Sequence, residues 1–261
     1  GHIWIGTFRG LNKYNVHEFH QYFCTDDSLD LPDNQIKDML RDSKGRLWIS
    51  TVNGVCRYTD KDNFKYISSD MTNKNGIQLL EGTDGRIFLN YTSHLSVYNP
   101  TTEEMNCVIP QLDPQGTMIV KCFIDAEAQL WVVTPRTLRC YDYYSMQLKD
   151  SVAINKNSRY FYLHKDGKIW LTGSRTLLLF DTHTHQFTDL PPALAQHSVL
   201  REAEITYIHP YGNNSLLLNT SRHGMFCYNY ANNTIAHQGD EDFPFEVPEF
   251  QISCMFTDSQ N

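Results

Sequence analysis

Apolar and polar residues alternate along most of the chain with the period of two that a half-buried β-strand requires, and no stretch shows sustained helical spacing. The clearest segment, DSKGRLWISTVNGVCRYT from Asp42 to Thr59, alternates on both sides of Val52-Asn53-Gly54 and so predicts two strands joined by a tight turn. Its anchor is a Trp followed ten or eleven positions later by an aromatic, and the arrangement recurs six times: Trp4 with Tyr14, Trp48 with Tyr58, Phe88 with Tyr98, Trp131 with Tyr141, Trp170 with Phe180, and Leu217 with Tyr228. Successive anchors lie 44, 40, 43, 39 and 47 residues apart, the period of β-propeller blades.

Each module predicts four antiparallel strands. An innermost strand precedes the anchor, at Ile36 to Arg41, Ile77 to Glu81, Ile119 to Ile124, Ser158 to Leu163, Ile205 to Pro210 and Ile252 to Thr257. The hairpin that follows it needs a residue tolerant of positive φ, and the equivalent positions are Gly45, Gly85, Ala128, Gly167, Asn214 and Asn261, with Ala128 the departure. A polar fourth strand carries Phe19, Phe64, Met105, Leu148, Phe187 or Ile235. Because a blade buries its faces only against its neighbours, the repeated Trp and Tyr positions are expected in the core. The expected fold is therefore an all-β propeller of four-stranded blades, with six modules present over residues 1–261.

The chain opens on the second half of a module, GHIWIGTFRGLNKYN, and closes on the first half of another, ISCMFTDSQN. Two arrangements follow: a closed six-bladed ring sharing one blade, or a segment of a longer chain whose remaining strands complete a seventh. The segment is the expectation, with its two ends side by side.

Charge and candidate chemistry narrow the reading. With 22 basic and 30 acidic side chains the net charge is −8, which argues against a general nucleic-acid binder. No apolar run reaches membrane-spanning length, and the Pro-rich pieces Leu190 to Ala195 and Phe243 to Pro248 fall where loops between blades are expected. The seven cysteines, at 24, 56, 107, 122, 140, 227 and 254, have no zinc-ligand spacing and read as small buried hydrophobes. His183 and His185 read as solvated turn residues, and His209 and His164, the histidines expected nearest the axis, have no visible partner in sequence. No catalytic residue, metal or cofactor is assigned.

The turns between the Trp strand and the Tyr strand present Arg9, Asn53, Ser93, Arg136, Arg175 and Arg222, with His94 and His223 beside that position in two of them. Four arginines in six equivalent turns of an acidic chain suggest a rim that attracts an acidic oligosaccharide, Arg136 and Arg175 being the expected adjacent pair; the alternative is that Arg simply solubilises a turn.

The strings GHIWIGTFRGLNKYN, DSKGRLWISTVNGVCRYT and KDGKIWLTGSRTLLLFD resemble the two-component regulator propeller repeat, whose pattern is Asp-x-x-Gly-x-Leu-Trp-Ile-Gly-Thr-x-x-Gly-Leu followed by an aromatic. The match is strong around Trp4 and Trp48, and eroded around Phe88, Trp131 and Leu217. The resemblance implies the periplasmic sensor segment of a Bacteroidetes-type hybrid two-component system. Such a segment recognises glycan breakdown products and works beside a second propeller in a dimeric receptor; the histidine kinase, the membrane helix and the DNA-binding output lie elsewhere in the parent chain. An interaction scaffold, and less readily a lyase or hydrolase propeller, stay open as other classes.

Overall fold

A computed structural model describes residues 2–15, 17–59, 61–68, 77–112, 117–154, 158–173 and 175–246. Their strands form six antiparallel sheets, each ordered as the chain runs. The first has three strands, β1 (Ile3–Thr7), β2 (Gly10–Tyr14) and β3 (Phe19–Tyr22). Four strands make each of the others. The second comprises β4 (Ile36–Arg41), β5 (Leu47–Thr51), β6 (Gly54–Tyr58) and β7 (Phe64–Ser68), and the third β8 (Gln78–Glu81), β9 (Ile87–Asn90), β10 (Leu95–Asn99) and β11 (Glu104–Ile109). The fourth holds β12 (Lys121–Ile124), β13 (Gln129–Val133), β14 (Thr137–Asp142) and β15 (Leu148–Ala153). In the fifth are β16 (Tyr160–Leu163), β17 (Lys168–Gly173), β18 (Thr176–Asp181) and β19 (Gln186–Thr188). After two short helices, α1 (Pro192–Gln196) and α2 (Ser198–Glu202), the sixth closes the described chain with β20 (Ile205–Tyr211), β21 (Ser215–Thr220), β22 (Met225–Asn229) and β23 (Thr234–His237).

The chain divides into two compact units, residues 1–124, 128–134 and 139–149 in one and residues 125–127, 135–138 and 150–261 in the other. Within each unit the sheets stack through the repeated aromatics. In the first, Trp4 meets Tyr58 edge-on with ring centroids 4.7 Å apart, Trp48 meets Tyr98 at 5.7 Å, and Phe88 meets Tyr143 at 5.5 Å. In the second, Trp170 meets Tyr228 at 6.3 Å. These four anchors thus pack on an aromatic of the following sheet, which buries apolar area that one sheet alone would leave in water. Trp48, Trp131 and Trp170 are buried as the repeat implies, whereas Tyr14 of the first sheet is exposed.

The hairpin turns show what the repeat enforces. Gly45, Gly85 and Gly167 all have φ near +78°, and Ala128 takes the same left-handed conformation at φ +55° despite its Cβ. The sixth sheet differs from expectation: positive φ falls on Gly212 at +54°, not on Asn214, because β20 runs one residue further than its counterparts in the pattern. The Pro-rich segment from Leu190 is likewise not a plain loop. Pro191 and Pro192 preset φ for a first helical turn, and the apolar Leu194 and Leu200 of the two helices are buried against the sixth sheet's core. The expected strand at Ile252 to Thr257, Asn261, Cys254 and the juxtaposition of the chain ends lie outside the described residues.

Among the described cysteines all six are free thiols. Cys56, Cys122, Cys140 and Cys227 are buried, and burial raises the thiol pKa of Cys56, Cys122 and Cys227. Cys107 is exposed and Cys24 half-buried, so these two depart from the buried-hydrophobe reading: Cys107 sits on the polar fourth strand β11, where alternate side chains face water. No helix among the described residues is long and apolar enough to cross a membrane.

Candidate functional site

The register of the inner hairpins fixes one position ten residues before each anchor, occupied by Asp38, Gln78, Lys121, Tyr160 and Tyr207. In the second sheet a bulge between Ile36 and Asp38 sets Asp38 opposite Ser50; in the third Gln78 stands opposite Asn90, and in the fourth Lys121 stands opposite Val133. Three successive sheets of the first unit therefore present a carboxyl, a carboxamide and an ammonium at one level. They line a cavity of about 340 Å³ together with Lys37, Asn90 and Thr92.

Side chains tie these strands together. Asp38 Oδ2 accepts from the Leu79 amide at 2.8 Å, which couples β4 to β8. The Gln78 carboxamide accepts from the Cys122 amide at 2.9 Å and donates to the Cys122 carbonyl at 3.1 Å, which couples β8 to β12. Ser50 Oγ accepts from the Ile77 amide at 3.1 Å. Burial pushes the Asp38 carboxyl above its usual range, against the backbone N–H groups of Leu79 and Met39 and the charge of Lys121, which favour the anion. Burial likewise pushes the Lys121 ammonium below its usual range, opposed by Asp38. These two groups attract one another without an ion pair between them. The cavity so holds a donor and an acceptor apart, an arrangement that a polyhydroxylated ligand, donor and acceptor at every hydroxyl, can bridge.

The turn residues singled out from sequence are placed as follows. Arg9, Arg136, Arg175, Arg222 and His223 are exposed. Arg175, at φ +52°, reaches Glu202 of α2 at 3.3 Å, and Asn53 donates to Asp33 Oδ2 at 2.8 Å. His94 stacks on Tyr91 with centroids 4.4 Å apart and its Nδ1 is 3.0 Å from Ser93 Oγ. Arg222 and His223 share a cavity of about 390 Å³ with His197, Phe226 and His237. The Arg136 carbonyl accepts from the Ile154 amide at 2.7 Å.

His164 does have a partner, contrary to the sequence reading: the hairpin turn after β16 brings Asp166 within 2.7 Å of its Nδ1. His183 and His185 separate, one 3.3 Å from Glu127 and the other 2.7 Å from Asp150. Among the described residues no three His, Cys, Asp or Glu side chains converge as metal ligands. Sequence reasoning missed Asp38, Gln78 and Lys121 because it compared turns alone; counting back ten positions from each anchor exposes them.

One part of the chain matches a known family model. Residues 30–53 match the two component regulator propeller model. They span β4, β5 and the turn between them, and so include both Asp38 and Trp48. Among solved structures, the extracellular domain of a putative hybrid two component system from B. thetaiotaomicron superposes with a TM-score of 0.74 over 99% of this chain and 36% of its own, at 18% identity. The chain therefore spans about a third of that structure. Virginiamycin B lyase from Staphylococcus aureus superposes at 0.70 over 95% of this chain and 82% of its own, at 14% identity. PorZ, a bacterial surface component of the type-IX secretion system of Porphyromonas gingivalis, gives 0.60 over 83% and 36%, at 13% identity. At such identities the likeness establishes the fold, an all-β propeller architecture. No curated protein matches the chain.

Proposed function

We propose that this chain is the ligand-sensing propeller segment of a hybrid two-component sensor, that it faces the periplasm, and that it recognises glycan breakdown products and signals to a kinase elsewhere in its parent chain. The observation that carries the reading is the two component regulator propeller repeat at residues 30–53, which also contributes Asp38 to the cavity lined by Gln78 and Lys121. The likeness to an extracellular domain of a putative hybrid two component system supports the same assignment. The segment acts by binding and not by turnover, since the cavity lining offers hydrogen-bonding groups but no nucleophile paired with a base. A second propeller and a dimer partner complete the receptor. The turn residues offer further contacts for an oligosaccharide within each unit, Arg9, Asn53 and His94 in the first and Arg136, Arg175, Arg222 and His223 in the second.

Calorimetry against a panel of neutral and acidic oligosaccharides tests the proposal. The expected result is saturable binding that weakens about tenfold in Gln78→Ala or Lys121→Met, the loss that goes with one charge-assisted hydrogen bond. Absence of binding to every saccharide, or affinity unchanged in both variants, overturns the placement. Arg136→Ala and Arg175→Ala test the outer set in the same assay.

A further inference from the structure

Several cations of this acidic chain gather at a second cavity of the first unit, at the other end of the same strands from the turn carrying Asn53. About 670 Å³ in volume, it is lined by Lys13, Arg41, Lys44, Arg46 and Arg57, with Trp4 and Tyr58 beside them. The repeat serves as its own control here. At the position of Lys44 the third, fourth and fifth sheets carry Asp84, Glu127 and Asp166; at that of Arg41 they carry Glu81, Ile124 and Leu163. Arg57 and Lys13 stand directly across from Trp48 and Trp4, where the other registers put Val97, Leu179 and Cys227 across from their anchors. Four cations thus replace acids or apolar residues at equivalent places, and all four face one cavity.

Local carboxylates do not neutralise the set. Asp62 is engaged by Lys13 at 3.1 Å and by the Tyr22 hydroxyl at 2.8 Å, and Asp42 by Arg46 Nε at 2.6 Å and by Trp48 Nε1 at 2.8 Å. Glu103 lends its field to Arg57 but is itself paired with Lys65. Arg41, Lys44 and Arg57 have no ion pair among the described residues, and Arg46 Nη2 is a buried guanidinium nitrogen without a hydrogen-bond partner. That atom is an orphan donor in a cavity of its own charge.

We infer that this cavity is an anion subsite that takes the sulfate or carboxylate groups of an acidic oligosaccharide, Arg41 and Arg57 supplying planar forks, Lys44 a point charge and Arg46 the charge behind them. The glycan half of the inference rests on the sensor reading above; the anion half does not.

The test is calorimetry of the chain with sodium sulfate, with a sulfated disaccharide, and with the same disaccharide desulfated. The double variant Arg41→Gln/Lys44→Gln alters exposed side chains only, and Arg201→Gln, which removes an exposed cation outside both cavities, is the control. Expected is binding of the sulfated disaccharide over the desulfated one, weakened about tenfold or more in the double variant and unchanged in the control, with affinity falling as salt rises. Sulfate binding that the double variant loses, with no saccharide bound, upholds the anion subsite and removes the glycan reading. Equal affinity for sulfated and desulfated sugar, or a double variant that binds sulfate like the parent, overturns the inference.

Discussion

Replacing Asp42 by Ala attacks the tie that locks the inner hairpin of the second sheet. The Asp42 carboxylate is wholly buried and accepts four hydrogen bonds, from the amides of Lys44 at 3.1 Å and Arg46 at 2.8 Å, from Arg46 Nε at 2.6 Å and from Trp48 Nε1 at 2.8 Å. Its loss strands the indole N–H of a Trp with no exposed surface, which costs about 1–3 kcal/mol. Arg46, only partly buried, regains water and adds about 1 kcal/mol, and the two amides about 0.5–1 kcal/mol each. The sum is about 3–6 kcal/mol, or roughly 6–24 °C in Tm at about 2–4 °C per kcal/mol. Urea unfolding followed by Trp fluorescence reads it. Asp42→Asn, which keeps one acceptor, loses about 1–2 kcal/mol. The protein contains its own paired replacement, since the third sheet has Gly82 and Phe88 where the second has Asp42 and Trp48, so acceptor and donor are absent together. A double-mutant cycle of Asp42→Ala with Trp48→Phe is therefore expected to show coupling of about 1–2 kcal/mol. The pH dependence has a definite sign. Burial of Asp42 works against ionisation, but the bonds from Trp48 and Arg46 outweigh it and hold the folded pKa below the unfolded one. Its stabilisation is present at neutral pH and disappears as pH falls through the folded value, so parent and variant converge in acid. A loss under about 1 kcal/mol at neutral pH, or zero coupling, refutes the reasoning.

Three further outcomes are expected. Gly82→Ala destabilises by about 1–3 kcal/mol in thermal unfolding, because a Cβ there lies 2.0 Å from Tyr143 Oη and 3.0 Å from a Phe88 ring carbon. Ala128→Gly raises stability by about 0.5–1 kcal/mol, since it relieves a left-handed Ala at φ +55°, and a lower Tm contradicts the turn assignment. Asp38→Asn is stabilising or neutral near pH 7: burial raises the folded pKa of Asp38, so its charged form opposes folding as pH rises, and the gain over the parent shrinks as both are titrated into acid.

The sequence pattern carried the strands because the anchors after Trp4 sit on strands buried on both faces, as Trp48, Trp131 and Trp170 do, and such strands repeat their composition. Turn geometry was readable where Gly45, Gly85 and Gly167 supply positive φ, and unreadable at Ala128 and Gly212, where the local fold sets the backbone against or beside the expected residue. The helices after Leu190 were hidden because five-residue elements carry no periodicity; only Pro191 and Pro192 hinted at them. The inner cavity was hidden for a different reason. Asp38, Gln78 and Lys121 share no chemistry, so a search for similar residues passes over them, and only the common register unites them. The His164–Asp166 contact was missed because a two-residue separation in a strand sends side chains apart along the chain, whereas the turn folds them together.

Gln78 bonds both the amide and the carbonyl of Cys122, so a side-chain carboxamide stands where the peptide group of a neighbouring strand would stand in a continuous sheet. This makes one rotatable side chain a clasp between two blades. An occupant of the cavity that claims the carboxamide for itself must open the clasp, and the Cys122 amide then loses its acceptor. Exchange of that single amide with solvent deuterium would consequently report occupancy as mechanical release, and the third and fourth blades would gain a freedom of relative motion set by one hydrogen-bonded pair.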